Sequence, residues 1–419
     1  MGSRRLELVA PNGLKIMLHR ITTPLPLVRS ALSIPALLLL LLSVPLPLRG
    51  QGFDLEWMRL YGGHEQDVFT AVLPCDDGGY LAAGATESYR AFFAQTKAAY
   101  VVRFGVDGDP LWSRALSAFD IHTVDGLFRH PSGGWLLVGS VAALKPATGF
   151  RLWIARLDTA GRIVTESRID SVVAGSRPTL TAGGSIVLLT SVKDTLLVSS
   201  LTPEGALEWT RRVGRPPTAT RYFPRGVVPL RTGGVVVMEE LFEGIPLVSA
   251  RAGFHRYSES GELLQERFLD TLRHMIAVAQ DSTDGLVVLT TIPVDTPTST
   301  ELVPTLFVLD TNGLLRAGPF VHDGLPSMFA QAMAVDSRGQ VVVTGSCASA
   351  EVKNVIEIFV GRITADLQQG TFRSFPQFNL PALNGAGIAI LDDGVVICGW
   401  SSYSTSENNA LLLRLREPE

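Results

Sequence analysis

The sequence predicts an all-β protein, a seven-bladed β-propeller of four-stranded antiparallel blades. Three observations predict it: a glycine-rich turn that returns at a near-constant interval, two hairpins in each unit, and an unmatched strand at either end. The turn reads "DDGGYLAAG" from Asp76 and returns as "PSGGWLLVG", "TAGGSIVLL", "RTGGVVVME", "STDGLVVLT", "SRGQVVVTG" and "DDGVVICGW". Aligned on Gly79, Gly134, Gly184, Gly234, Gly285, Gly339 and Gly394, the spacings are 55, 50, 50, 51, 54 and 55 residues. An all-β period of that length belongs to propeller blades.

In the first unit "FTAVLP" (69–74) is the first strand and "YLAAGAT" (80–86) the second. The third is "YVVRF" (100–104) and the fourth "PLWSRAL" (110–116). Glycine marks the turns because hairpin loops demand a positive φ, which costs a residue with a Cβ about 1 kcal/mol or more. The second hairpin returns as "WIARLDTAGRIVTESRI", "LVSSLTPEGALEWTRRV" and "GFHRYSESGELLQERFL", each with Asp, Thr, Ser or Gly at the turn. The second strands are almost wholly Val, Leu, Ile and Ala. A strand apolar on both faces is one sandwiched between neighbouring sheets.

The chain ends decide whether the array closes. The seventh unit has a first strand near 385–391, "VVICGW" (395–400) and "ALLLRL" (410–415), and lacks a fourth. "LEWMRLYGG" (55–63) matches "LEWTRRV" (207–213) and is a fourth strand with no unit of its own. The N-terminal strand (55–60) is therefore expected to pair with the C-terminal strand (410–415), sealing the ring and removing a sheet edge.

Residues 51–419 are thus read as one propeller and residues 1–50 as an export signal. No charge lies between Ser30 and Leu48, Leu37–Leu42 are six leucines, and Arg20 and Arg29 precede them. Leu48-Arg49-Gly50-Gln51 follows as the cleavage region. The rival reading is a membrane anchor, which needs about 20 apolar residues. Pro35, Pro45 and Pro47 leave only Ala36–Val44 unbroken, and the signal reading is preferred. Met17 is a second candidate start, which would make residues 1–16 an extension. The expected location is secreted, periplasmic or cell-surface, with no stable membrane span after cleavage.

Hydrophobic content of 46% against 18% charged residues excludes a disordered chain. Three cysteines are too few for a disulfide framework. Cys347 and Cys398 fall in equivalent parts of neighbouring repeats, either as a pair or as two buried thiols. Residues 1–50 hold six basic residues and one acidic, leaving 30 and 39 in the remainder, a net charge of −9. Such a surface repels phosphate backbones, so nucleic acid is excluded as a partner. A monomer is expected.

Trp57, Gly62-Gly63, Asp67, Asp77-Gly78-Gly79-Tyr80 and Gly84 form a pattern over residues 55–116. It resembles a group of bacterial secreted repeat propellers, most of them uncharacterised. The resemblance implies the fold and export, and no particular chemistry. Gly108-x-x-x-Trp112 and Gly205-x-x-x-Trp209 resemble part of the tryptophan-docking motif of quinoprotein dehydrogenases. That motif recurs through most blades of those enzymes, whereas Gly161, Gly261 and Gly313 precede Thr165, Gln265 and Ala317 here. No quinone or other cofactor is expected; an aromatic of the fourth strand packing on the next blade explains both tryptophans.

The connections between second and third strands vary most: 87–98, 141–150, 242–249, 293–303, 348–355 and 402–409. They share one face with the links between units, and variable loops on a rigid repeat are where binding sites sit. The links carry His64, His122, His274 and His322, with Asp67, Asp120, Asp125 and Asp323 beside them. Tyr89, Arg90, Phe92 and Phe93 of "ESYRAFFAQTK" add aromatics and a cation suited to protein or sugar contacts. No local spacing makes a metal site, and Asp76-Asp77 and Asp392-Asp393 read as turn residues rather than calcium ligands. No G-x-S-x-G, Walker or H-E-x-x-H motif occurs, and no catalytic residue is assigned. The leading function is a secreted scaffold binding a protein or glycan through the loop-rich face. The alternatives are an enzyme acting on a carbohydrate or metabolite through His and Asp groups at the channel mouth, and a structural envelope or matrix component.

Overall fold

One turn geometry, used twice in each of the first five repeats, sets the architecture. In the first repeat Cys75 N donates to Gly79 O at 2.8 Å and Gly78 N to Cys75 O at 3.0 Å. The left-handed seat of this turn is Gly78, at φ +82°. The same pair of bonds recurs at His130–Gly134, Thr181–Ser185, Leu230–Gly234 and Asp336–Gln340, and its first member at Asp281–Gly285. The left-handed residues there are Gly133, Gly184, Gly233, Asp284 and Gly339. Gly184 and Gly339 are therefore one position earlier than Gly79 in structural register, which corrects the glycine alignment by one residue in two repeats. The seat at positive φ is what the turn demands; the position after it accepts Ser185 or Gln340.

The second hairpin repeats the geometry, with Gly108, Gly161, Gly205, Gly261 and Gly313 in the same seat. Asp158 Oδ1 accepts from Ala160 N at 2.9 Å and Arg162 N at 2.8 Å, and Asp310 Oδ1 accepts from Asn312 N and Leu314 N, both at 2.8 Å. The turn aspartates are local caps, as their residue type predicts.

The computed structural model describes residues 52–89, 97–116, 120–143, 150–169, 178–192, 195–214, 216, 218–244, 248–295, 300–321, 327–353, 355–376, 382–402 and 408–418. It opens with β1 (Asp54–Tyr61). The first four-stranded sheet is β2 (Asp67–Pro74), β3 (Tyr80–Thr86), β4 (Ala98–Phe104) and β5 (Pro110–Leu116). The second is β6 (Asp120–Arg129), β7 (Trp135–Ala143), β8 (Phe150–Leu157) and β9 (Ile163–Ile169). The third is β10 (Thr179–Leu180), β11 (Ile186–Val192), β12 (Thr195–Leu201) and β13 (Leu207–Arg212). The fourth is β14 (Arg221–Pro229), β15 (Val235–Glu243), β16 (Val248–Tyr257) and β17 (Leu263–Leu269). The fifth is β18 (Met275–Gln280), β19 (Leu286–Asp295), β20 (Thr300–Leu309) and β21 (Leu315–Val321). Then come β22 (Phe329–Val335), β23 (Val341–Ala348), β24 (Ile356–Ile363) and β25 (Gly370–Phe375). Last are β26 (Ala382–Leu391), β27 (Gly394–Ser402) and β28 (Asn408–Arg416).

The fold is an all-β propeller of antiparallel blades. The described residues give five separate four-stranded sheets, not seven, because β22–β28 and β1 belong to one eight-stranded sheet. The cause is local: β24 and β26 touch through a single parallel bridge, Ile356 to Ala382, while every other pairing in that sheet is antiparallel. β1 pairs with β28, Tyr61 opposite Ala410 and Asp54 opposite Arg416.

First strands share a second device. A register shift interrupts the pairing of β2, β6, β14, β18, β22 and β26 with the strand that follows each, leaving Thr70, Asp125, Arg225, Ile276, Gln331 and Ala386 as the extra residues. Such bulges bend and twist a strand. Neighbouring first strands meet there: Thr70 Oγ1 donates to Val124 O at 2.7 Å, and Gln331 Nε2 to Asn384 Oδ1 at 3.3 Å.

Between sheets lies the core. Leu81 and Val101 of the first sheet pack with Leu137 and Trp153 of the second. Phe69, Tyr80 and Val102 of the first pack with Val396, Cys398 and Leu412. Each such side chain contributes about 1.5–3 kcal/mol on full burial. Tryptophans key the outer strands: an added Cβ would meet Trp57 at 2.9 Å from Gly108, Trp112 at 2.5 Å from Gly161 and Trp209 at 2.6 Å from Gly261. The expected packing of fourth-strand tryptophans on the next repeat is what these contacts are. Cys347 and Cys398 are both buried as thiols, and burial pushes the Cys347 thiol up to about 12.

The segments read from the sequence as variable loops are partly strand. Phe242 pairs with Ser249 and Glu243 with Val248, and the β19–β20 ladder runs out to Asp295 opposite Thr300. The apolar alternation simply continues past the predicted strand ends.

Removing residues 52–61 should leave the β28 edge unpaired; the melting temperature falls and light scattering rises, and an unchanged melt would refute the role of β1. Gly161→Ala should cost about 1–3 kcal/mol, since it combines a left-handed φ with a clash against Trp112. Calorimetric unfolding measures it.

Candidate functional site

The links between sheets hold their polar side chains in structural bonds. Asp67 is fully buried and its carboxylate accepts from Gly63 N at 2.9 Å, from Ser88 Oγ at 2.6 Å and from Thr86 Oγ1. It ties the β1–β2 link to the end of β3. His64 beside it is exposed. Tyr89 is 48% exposed, donates to Gly62 O at 2.9 Å and lies 5.4 Å from the Tyr100 ring. Burial of part of the ring raises its phenol. Arg90, Phe92 and Phe93 lie outside the described residues, as do His322 and Asp323.

In the second sheet Asp120 receives Arg168 Nη1 at 2.6 Å. His122 is 2% exposed and stands edge-on to Trp153 at 4.8 Å, its Nδ1 without a hydrogen-bond partner. Burial, and then the Arg168 guanidinium, hold its imidazole below the usual histidine range. Asp125 is the bulge residue of β6; burial raises its carboxyl, against a bond from Ser140 Oγ at 3.2 Å. His274 opens the fifth sheet at φ +51°. Its backbone N donates to Glu240 Oε1 at 2.8 Å, and its Nδ1 is 3.7 Å from the same oxygen. The described candidates therefore belong to three separate sheets: Asp67 bonds across its link, Asp120 and Asp125 bond within the second sheet, and His274 bonds to Glu240 of the fourth. Among the described residues no group of three His, Cys, Asp or Glu side chains is arranged to hold a metal.

Two buried polar sets lie outside the sequence-derived candidates. Within β15, "VVVMEE" places Glu239 and Glu240 in mid-strand, one on each face. Glu240 receives Arg225 at 2.6 and 2.9 Å, and Glu239 lies 3.1 Å from His255 Nε2, whose Nδ1 is 3.2 Å from Glu266. Adjacent acids inside an apolar strand are a readable signal, because charges go into a core only when paired.

The second set is an arginine near the end of the third strand, "VVRF", "IARL", "FHRY", "VGRI" and "LLRL", giving Arg103, Arg156, Arg256, Arg362 and Arg414, of which Arg103 and Arg414 are buried and the others half-buried. Arg103 is 6% exposed; its Nη1 donates to Tyr80 O at 3.1 Å and to Phe104 O, and its Nη2 holds Asp77. Asp77, bonded also by Gly79 N, sits below the usual carboxylate range. Arg414 repeats this against Leu415 O at 2.6 Å and against Asp393. These guanidiniums close gaps under the hairpin turns.

Clefts open at that turn face, between sheets. One of about 610 Å³ lies where β26–β28 and β1 meet the first sheet, lined by Glu56, Cys75, Tyr80, Asp107, Asp393 and Arg414 among others. Another, about 320 Å³, separates the third and fourth sheets and is lined by Thr181, Ser185, Ser200, Glu208, Trp209 and Ser258 among others. Both are on the opposite face from the links and loops that the sequence singles out.

No family model matches the chain, and no curated protein does. Solved structures match in fold. Polysaccharide lyase Uly1 aligns with a TM-score of 0.53 at 9% identity, covering 86% of this chain and 92% of that one. A protein of unknown function from Dyadobacter fermentans aligns at 0.50 and 9%, covering 88% and 100%. BBS1N, solved in complex with ARL6DN, aligns at 0.50 and 11%, covering 88% and 97%. At such identities the likeness is one of fold.

His122 carries a pH dependence. Its folded value lies below its unfolded one, so its stabilisation is complete above the unfolded value near 6.5 and is lost as pH falls through and beneath it. The melting temperature should drop from pH 7 to pH 5, and His122→Leu should flatten that drop.

Proposed function

We propose that the chain is an exported, closed seven-bladed propeller that serves as a binding scaffold for a protein or glycan. The observation that carries the binding reading is where the chemistry-bearing side chains are spent. Asp67 fastens the β1–β2 link to the end of β3, Asp120 and Asp125 bond within the second sheet, and Glu240 of the fourth sheet holds the backbone of His274, so the strand ends are held rigid around whatever the adjoining loops contact. A pre-set surface binds with less ordering cost than a flexible one.

Seven blades follow from dividing the eight-stranded sheet at its single parallel bridge, which leaves β22–β25 and β26–β28 with β1. Closure is supported by the β1–β28 register and by Gly387, whose added Cβ would lie 3.0 Å from Thr70 O of β2. Export rests on the apolar, proline-broken segment between Ser30 and Leu48. Among the described residues no helix is long and apolar enough to cross a membrane. A fold shared by a polysaccharide lyase and by a propeller solved with a protein partner does not choose between ligands, and both classes belong in the test.

The protein purified from cells should begin near Gln51 by N-terminal mass mapping; an intact residue 17 or earlier would refute cleavage. A thermal-shift screen against extracellular glycans and proteins should give a rise of several degrees with one class. Tyr89→Ser should abolish that rise if the loop-rich face binds. No response to any class would overturn the scaffold reading.

A further inference from the structure

The arginine series under the turns has two exceptions. In strand register the positions are Arg103 opposite Leu81, Arg156 opposite Leu136, Arg256 opposite Val236, Arg362 opposite Val342 and Arg414 opposite Val396. The fifth sheet has Val308 opposite Val287, an apolar side chain 7% exposed and packed with Leu306 and Phe359. The third has Ser200 opposite Val187. Serine neither reaches the turn nor fills the gap, and the 320 Å³ cleft lies at that point.

What surrounds Arg103 and Arg414, apart from the turn acid, is kept around the vacancy. Across the strand pair Arg103 faces Trp112 and Arg414 faces Trp57; Ser200 likewise faces Trp209. Trp209 is fixed by Nε1 donating to Glu259 O at 2.8 Å. The carbonyls that Arg103 uses, Tyr80 O and Phe104 O, correspond in register to those of Ile186 and Leu201. By the turn bonds, Asp77 corresponds to Gly183, which also lines the cleft. In compensation Glu208 lies on the neighbouring strand, its carboxylate accepting from Ser200 Oγ at 2.6 Å. The lining holds two carboxylates, Glu208 and Glu259, and no lysine or arginine.

We infer that this cleft is a binding site for a guanidinium group supplied from outside the chain. It takes the place that Arg103 and Arg414 fill in their own repeats. The carboxylate of Glu208 provides a charge-assisted acceptor for the planar donors, and the indole of Trp209 provides a face for the cation. The inference concerns the turn face and does not depend on what the loop-rich face recognises.

The test uses the purified protein and follows Trp209 fluorescence and calorimetric heat on titration with methylguanidinium, with a Gly-Arg-Gly peptide and with a Gly-Lys-Gly peptide. The arginine peptide should bind, and the lysine peptide about tenfold or more weakly, since an ammonium lacks the planar fork. Equal binding of methylguanidinium would identify a free small cation as sufficient; binding of the peptide alone would identify an arginine carried on a chain. Ser200→Arg should abolish binding and raise the melting temperature, because the filler is then covalently present. Glu208→Gln, on an exposed strand position, should weaken binding about tenfold with the fold intact. No arginine-dependent signal in the native protein, equal affinity for lysine, or unchanged affinity in Glu208→Gln would overturn the assignment. None of these results bears on Tyr89 or the loop-rich face, so the two readings fail separately.

Discussion

Each sheet of this protein is apolar on both faces, and only another sheet of the same kind can cover them. β3, β11 and β15 are buried almost end to end, and their side chains enter clusters shared with the sheet on either side. A two-faced sheet cannot stand at the end of a row without exposing one face to water. That constraint explains why the outermost elements of the chain, β1 and β28, are found paired, and why the first sheet packs against β26–β28.

Rigid packing of that kind fixes the backbone first and leaves the rims to be finished by side chains. On the turn face the finishing is done by buried arginines that bond main-chain carbonyls; on the link face it is done by acids such as Asp67 and Glu240 that gather backbone and hydroxyl donors. Both solve the same problem, that a buried polar backbone group left without a partner is costly. Ser200 departs from that arrangement and lines an open cleft between the third and fourth sheets.

Much of the candidate chemistry read from the sequence has a structural duty instead. Asp67, Asp120 and His274 were legible as polar residues in links, but their partners are non-local: Ser88, Arg168 and Glu240 lie 21, 48 and 34 residues away. No spacing along the chain announces such a bond. The arginine series was legible in principle, since "VVRF", "IARL" and "LLRL" are plain repeats, yet its meaning required knowing that the residue faces the next sheet. The same limit hid the Glu239–His255 pair, whose members meet only because β15 and β16 are adjacent.

By itself the sequence determined the all-β class, the two-hairpin repeat, the left-handed glycine turns and the pairing partners at the chain ends, because these follow from local φ requirements and a periodic burial pattern. Tertiary structure alone decided the rest. It merged eight strands into one sheet through the Ile356–Ala382 bridge, extended the hairpins into segments that read as loops, and placed a cleft beside Ser200. The physical reason is that these features depend on the distance between strands far apart in sequence, and composition and periodicity carry no information about that distance.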